Sequence, residues 1–205
     1  MNRPLQLDPA TTAVVTMELQ RAVVGDLASH PDLVAAIAPR LPAVASVCRA
    51  ARAAGAHVVH ATVTFLPGGE GFTTNSPIQR ASARANAELL AVGSPGAELV
   101  AEIEPSPEDV VAVRHTGMTP FNGTDLHATL QSLGVETVVA TGVSVNIGVL
   151  GLVISAADLG YRVVVPRDAV AGLPEDYADA VLSGTIALLA TVTSADDVEA
   201  AFRAR

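Results

Sequence analysis

The sequence predicts an α/β fold, a three-layer, doubly wound parallel sheet of about six strands with helices on both faces. Two patterns predict it. Short, continuous β-branched runs such as "TAVVTMEL" (12–19) and "VETVVATG" (135–142) carry no polar alternation, so both of their faces are buried. Ala/Leu-rich stretches of helical length separate these runs, which is the order that parallel crossover connections need.

The elements follow in turn. The first strand is 12–19. A helix is predicted over 31–55, with Pro39 and Pro42 marking a kink or restart and Gly55 a stop. "AHVVHATVTF" (56–65) is the second strand, and the Gly/Pro/Asn-rich "LPGGEGFTTNSP" (66–77) is a loop leading to a polar helix over about 78–92. "EDVVAVRH" (108–115) is the third strand, and "TDLHATLQSLG" (124–134) is a capped helix. After the fourth strand, 135–142, an apolar helix runs over about 146–159, and "YRVVVP" (161–166) is the fifth strand. A helix over 175–189, a short "TVTS" strand and a terminal helix complete the pattern. No repeat or long linker divides residues 1–205, which read as one domain.

Composition narrows the function classes. Half of the residues are hydrophobic and the net charge is −9, which disfavours nucleic acid and anionic membrane as partners. All twelve cations are arginine; there is no lysine. No run of about 18 apolar residues is free of charges or breakers, and the first residues lack a signal-peptide core. Cys48 is the only cysteine, so a reducing, cytoplasmic setting is expected.

In such sheets ligands bind at the C-terminal strand ends. These ends carry Glu18 and Gln20, residues 64–72, 114–121 and 144–148. Glu18 and Arg114 each end an otherwise apolar strand, where a charge is costly unless paired or functional. A structural ion pair closing the sheet edge explains the two as well as a catalytic pair does.

The order "VVTMELQ", "VVAVRHTGMTPFNGTDL", "ETVVATGVSVNIGVLGLVISAADLGYRVVVPRDAVAG" resembles the isochorismatase-like hydrolases, also called the cysteine hydrolase superfamily, over about residues 10–190. The resemblance implies a catalytic Asp, Lys and Cys. At the matching positions stand Glu18, Arg114 and Gly148. Without a thiol at Gly148, a cysteine-dependent amidase or nicotinamidase is excluded, and Cys48, mid-helix, reads as a buried structural thiol. The paired His of the nicotinamidase metal site are absent from "TVTFLPGGEGF", so no metal or other cofactor is expected.

The resemblance leaves a branch that cleaves a vinyl ether and carries Gly at this position. There, a carboxylic acid protonates the enol-ether carbon and water attacks the oxocarbenium ion. It implies Glu18 as acid, with Arg114 orienting it or clamping a substrate carboxylate. Loss of the side chain at Gly148 is expected to open the space that the longer Glu18 and Arg114 fill. Backbone N–H groups at Ile147 and Gly148 are expected to attract an anion, and Val143–Ser144 to be a cis peptide. Gln20, Phe65, Phe72, Gln79, Phe121, Ser144 and Ile147 are the expected substrate contacts. His60 is expected to be packed and His127 solvated. The substrate is then a small, carboxylated, enol-ether-type metabolite, and the protein a homo-oligomer, dimer or tetramer. Two alternatives stay open: a non-catalytic member that binds a small acid or serves as an assembly subunit, and a lyase or cyclase of secondary metabolism using the Glu–Arg pair.

Overall fold

The computed structural model describes residues 4–204. Seven parallel strands form one sheet: β1 (Thr12–Met17), β2 (His57–Val63), β3 (Val110–Arg114), β4 (Thr137–Val143), β5 (Arg162–Pro166), β6 (Val170–Ala171) and β7 (Thr191–Thr193). Their order is β3-β2-β1-β4-β5-β7, with the two-residue β6 pairing the end of β4. The chain winds outward from β1 to β3 on one side and from β4 to β7 on the other, so the winding reverses between β1 and β4. That reversal opens a crevice at the strand ends.

Period-two alternation assigns the two faces. Val14, Val58, Val139 and Val164 point to one layer, packed by α3 (Leu41–Ala54) and α9 (Ala195–Arg203). Ala13, Val15, Met17, Val138 and Ala140 point to the other. There α5 (Leu126–Ser132), α6 (Leu150–Asp158) and α7 (Glu175–Val181) cover them. The central β1 and β4 are buried along their whole length, whereas edge strand β3 leaves Val111 and Val113 exposed. Short α1 (Arg21–Val24), α2 (Pro31–Ile37), α4 (Pro77–Asn86) and α8 (Ala187–Leu189) complete the helices.

The helical run from Pro31 to Ala54 is long and apolar enough to cross a membrane by length and hydropathy. A 3-10 turn, Ala38–Arg40, interrupts it, and its buried face packs on β1, β2 and α9.

Several predicted boundaries shift. The helix expected over 78–92 is α4, which ends at Asn86; beyond it Leu90 O accepts from Phe65 N–H and Val92 N–H donates to Phe65 O, tying this stretch to the end of β2. The helix expected from 146 starts as a π turn, Val145–Val149, and becomes α-helical only at Leu150. Ser144 O accepts from both Ile147 N–H and Val149 N–H, which widens the turn. The helix expected over 175–189 divides into α7, a second π turn (Leu182–Ile186) and α8.

Candidate functional site

Four strand ends converge on a cavity of about 200 Å³. Its walls include Glu18 beyond β1, Val63 of β2, Arg114 of β3, Val143–Ser144 at the end of β4, and Ile147 and Gly148 in the π turn. Phe72 arrives from the loop after β2, and α4 presents Ile78, Gln79, Ser82 and Asn86. Gly142 permits the close approach of β1 and β4. Its φ is +100°, and a Cβ there would lie 2.3 Å from Met17 O. Val143–Ser144 is a cis peptide, as the resemblance implies.

Arg114 Nη2 donates to Glu18 Oε1, so the two charges expected at the sheet edge do meet. The pair is unequal. The Arg114 side chain is 4 % exposed and that of Glu18 20 %. Arg114 Nε makes one long contact to Gly117 O at 3.5 Å, and its buried Nη1 has no partner. Burial lowers the guanidinium from 12.5 to about 10, which leaves it charged at neutral pH. Glu18 holds φ +53°, a left-handed backbone that non-glycine residues adopt at a cost of about 1–3 kcal/mol. Glu18 N–H donates to Ala61 O, which helps to hold it there.

Gly148 is crowded. A Cβ on it would stand 2.9 Å from Val143 O and 3.0 Å from Met17 Cε. The expectation that Glu18 and Arg114 fill this space is therefore corrected: Met17, wholly buried, fills it. The anion-attracting role expected of Ile147 N–H is corrected as well, because that group is engaged with Ser144 O at 3.0 Å.

Among the expected contacts, Phe72, Gln79, Ser144 and Ile147 line the cavity. Gln20, Phe65 and Phe121 do not. Gln20 is fully buried and bridges backbone: its amide donates to Val63 O and Ala97 O and accepts from Val63 N–H. Phe65 sits behind Phe72, ring centroids 4.3 Å apart, and Phe121 stacks on Tyr161. Gln79 lines the wall with its amide already held by Ser76 and Thr73, in a capping box that starts α4. His127, expected to be solvated, is half-buried, and its Nδ1 pairs with the Tyr161 hydroxyl at 2.9 Å.

Sequence reasoning missed Met17, His30, Ser82, Asn86 and Met118. The signal for two of them was present: Gln79, Ser82 and Asn86 recur at helical spacing on one face of a polar helix. Met17 gave none, being one apolar residue in an apolar strand.

The fold is shared with solved structures. An isochorismatase family protein from Burkholderia thailandensis superposes with a TM-score of 0.79 at 26% identity, covering 98% of this chain and 100% of that one. Residues 12–197 match the isochorismatase domain. The chain belongs to the isochorismatase family. Curated relatives of this isochorismatase-family chain include the ureidoacrylate amidohydrolase RutB of Pseudomonas syringae pv. syringae, 31% identical over 95% of this chain and 84% of that protein. The streptothricin hydrolase of Streptomyces noursei is 30% identical over 94% of this chain and 62% of its own length.

In this member of the family the cavity offers a carboxylate, a guanidinium and no thiol. Cys48 lies in α3, fully buried, and burial pushes its thiol up to about 12. It does not line the cavity. What the arrangement can do chemically is hold an anion, orient it, and move a proton.

Proposed function

We propose that this protein is an isochorismatase-type hydrolase that works without a cysteine nucleophile, on a small, carboxylated, enol-ether-type metabolite. Arg114 holds the substrate carboxylate, and Glu18 delivers a proton to the enol-ether carbon. Water then adds to the oxocarbenium ion, and the resulting hemiketal releases the alcohol.

One observation carries the reading: the cavity joins Glu18 to Arg114 and has only Gly148 where a nucleophile would stand. The amide hydrolysis named for the Pseudomonas relative would need another nucleophile here. The apolar wall of Val63, Phe72, Ile78 and Leu90 suits a carbon skeleton, and a carboxylic acid in such surroundings is a competent proton donor.

The test is turnover of isochorismate and related enol ethers by the wild type and by Glu18→Gln. The expected result is turnover that falls at least about a hundredfold in Glu18→Gln, as loss of a general acid predicts. Turnover unaffected by the substitution would overturn the reading. A second reading, a member that binds a small acid without converting it, is favoured by the filled space at Gly148 and by the resting ion pair. It predicts acid binding with no turnover of any enol ether.

A further inference from the structure

The resting pair presents a difficulty for acid catalysis. A general acid must be protonated before it acts, and a guanidinium in contact favours the ionised carboxylate. Arg114 is the more deeply buried partner, at 4 % exposure against 20 % for Glu18; its Nη2 is engaged by Glu18 and its Nε by Gly117 O. The buried Nη1 is closed to water. An anion that uses Arg114 must therefore move Glu18.

Charge balance then sets the protonation of Glu18. The cavity lining itself holds one carboxylate and one guanidinium. A bound carboxylate raises the count to two anions on one cation, in a site walled by Val63, Phe72 and Leu90. Two carboxylates that share a poorly solvated site cannot both stay ionised. The other elements packed around Glu18 bring no compensating charge. β4 and the π turn contribute Val143, Ser144, Ile147 and Gly148, and α4 contributes uncharged side chains. His30, solvent-exposed before α2, is the one further titratable side chain in the lining among the described residues. His115, next to Arg114, is turned to Thr64 instead.

We propose that a small carboxylate entering the cavity takes over the Arg114 guanidinium and that Glu18 takes up a proton as it does so, so that binding itself loads the acid. The proton comes from solvent and stays on the Glu18 carboxyl; no bond in the ligand breaks. The inference rests on the proposed roles of Glu18 as acid and Arg114 as anchor, but it requires no turnover. It deepens that reading by making the substrate's own carboxylate the condition for a protonated Glu18, and an uncharged ester of the same metabolite a poor substrate.

The experiment is calorimetric titration with benzoate near neutral pH, in buffers of different ionisation enthalpy, with benzamide as the uncharged control. The wild type is expected to take up about one proton per benzoate, and its affinity to weaken about tenfold per pH unit across the uptake range. Glu18→Gln is expected to bind benzoate with no uptake and no such slope; Arg114→Met is expected to lose benzoate binding. Benzamide binding, if seen, is expected to be proton-neutral. Benzoate binding by the wild type without uptake overturns the proposal. So does uptake that persists in Glu18→Gln and disappears in His30→Gln, or no benzoate binding at millimolar concentration. Proton uptake with no turnover of enol ethers would sink the hydrolase reading and leave this inference standing. Turnover that depends on Glu18, without uptake on benzoate binding, would do the reverse.

Discussion

Strand β3 has a carboxylate–guanidinium pair at each end, and the two are built in opposite ways. Before the strand, Asp109 accepts from Arg52 Nε and Nη2 at 2.9 and 2.7 Å, from Ser106 N–H at 2.8 Å and from His60 Nε2 at 3.0 Å. The His60 ring continues to the Thr16 hydroxyl at 2.8 Å. Here the acid is buried, at 3 % exposure, and the cation reaches water at 22 %. At the far end of the strand, the cation Arg114 is the buried partner, and one of its terminal nitrogens has no partner. A buried carboxylate with four donors is a finished piece of architecture. A buried guanidinium with a free donor is an unfinished one, and unfinished polar groups beside a cavity are where ligands are recognised.

The largest expected effect comes from replacing both members of each pair by apolar residues. Glu18→Leu with Arg114→Met removes a pair whose one further side-chain hydrogen bond is the long contact from Arg114 Nε to Gly117 O. Its stability is expected within about 1 kcal/mol of the parent, or above it, because desolvation of a buried pair offsets its attraction. Asp109→Leu with Arg52→Met strands the His60 and Ser106 N–H groups, each costing about 1–3 kcal/mol. Urea midpoints measure both. Equal losses in the two double variants would break the comparison.

The same contrast explains how much the sequence could reveal. Glu18 and Arg114 were legible because charges at the ends of apolar strands are costly without a reason. Strands β1, β2, β4 and β5 were legible as continuous β-branched runs. Gln20 was misread because a polar side chain at a strand end looks the same whether it faces a ligand or bridges two backbone segments, as it does between Val63 and Ala97. Phe65 and Phe121 were misread for the parallel reason: aromatic rings beside a site pack on other rings as readily as on a substrate. Asp109 passed unnoticed because its side-chain partners, Arg52 and His60, lie 57 and 49 residues away in the chain. The π turns have no sequence signature, since one widened turn leaves the apolar pattern intact. The two-residue β6 is too short to leave a pattern at all.

Gly148 sharpens the comparison from the site side, with a smaller effect. If the cavity end of the sheet were merely loose, a thiol could be returned there at no cost. Its Cβ would instead press on Val143 O and on the Met17 side chain. Gly148→Cys is expected to lose about 1–3 kcal/mol in urea denaturation, as overpacking does. Met17→Val is expected to recover part of that loss, because the methionine end can be shortened whereas the carbonyl contact remains. A Gly148→Cys variant as stable as the parent would show that the crowding is illusory.

The smallest effect is a slope with pH, and it belongs to the finished end. Burial lowers the His60 pKa from 6.5, although the Asp109 hydrogen bond pulls the other way. With Asp109 accepting from Nε2–H, Nδ1 is free to accept the Thr16 hydroxyl, so the network assigns a neutral ring. A histidine whose folded pKa lies below its unfolded one takes up its proton first in the unfolded chain. The stability it supports is therefore complete above 6.5 and is lost as the pH falls below that value. Asp109 acts in a separate window. Burial would raise its pKa, but the hydrogen bonds from Arg52, Ser106 and His60 lower it overall from 3.8, so its contribution persists until the pH falls below that point. Urea midpoints compared between about pH 7 and 5, across the ordinary histidine range, isolate the His60 effect. The wild type is expected to lose stability over this interval, and His60→Gln to lose less, from a lower starting value. An equal loss in both proteins would mean that the buried ring carries no share of the acid sensitivity between about pH 7 and 5.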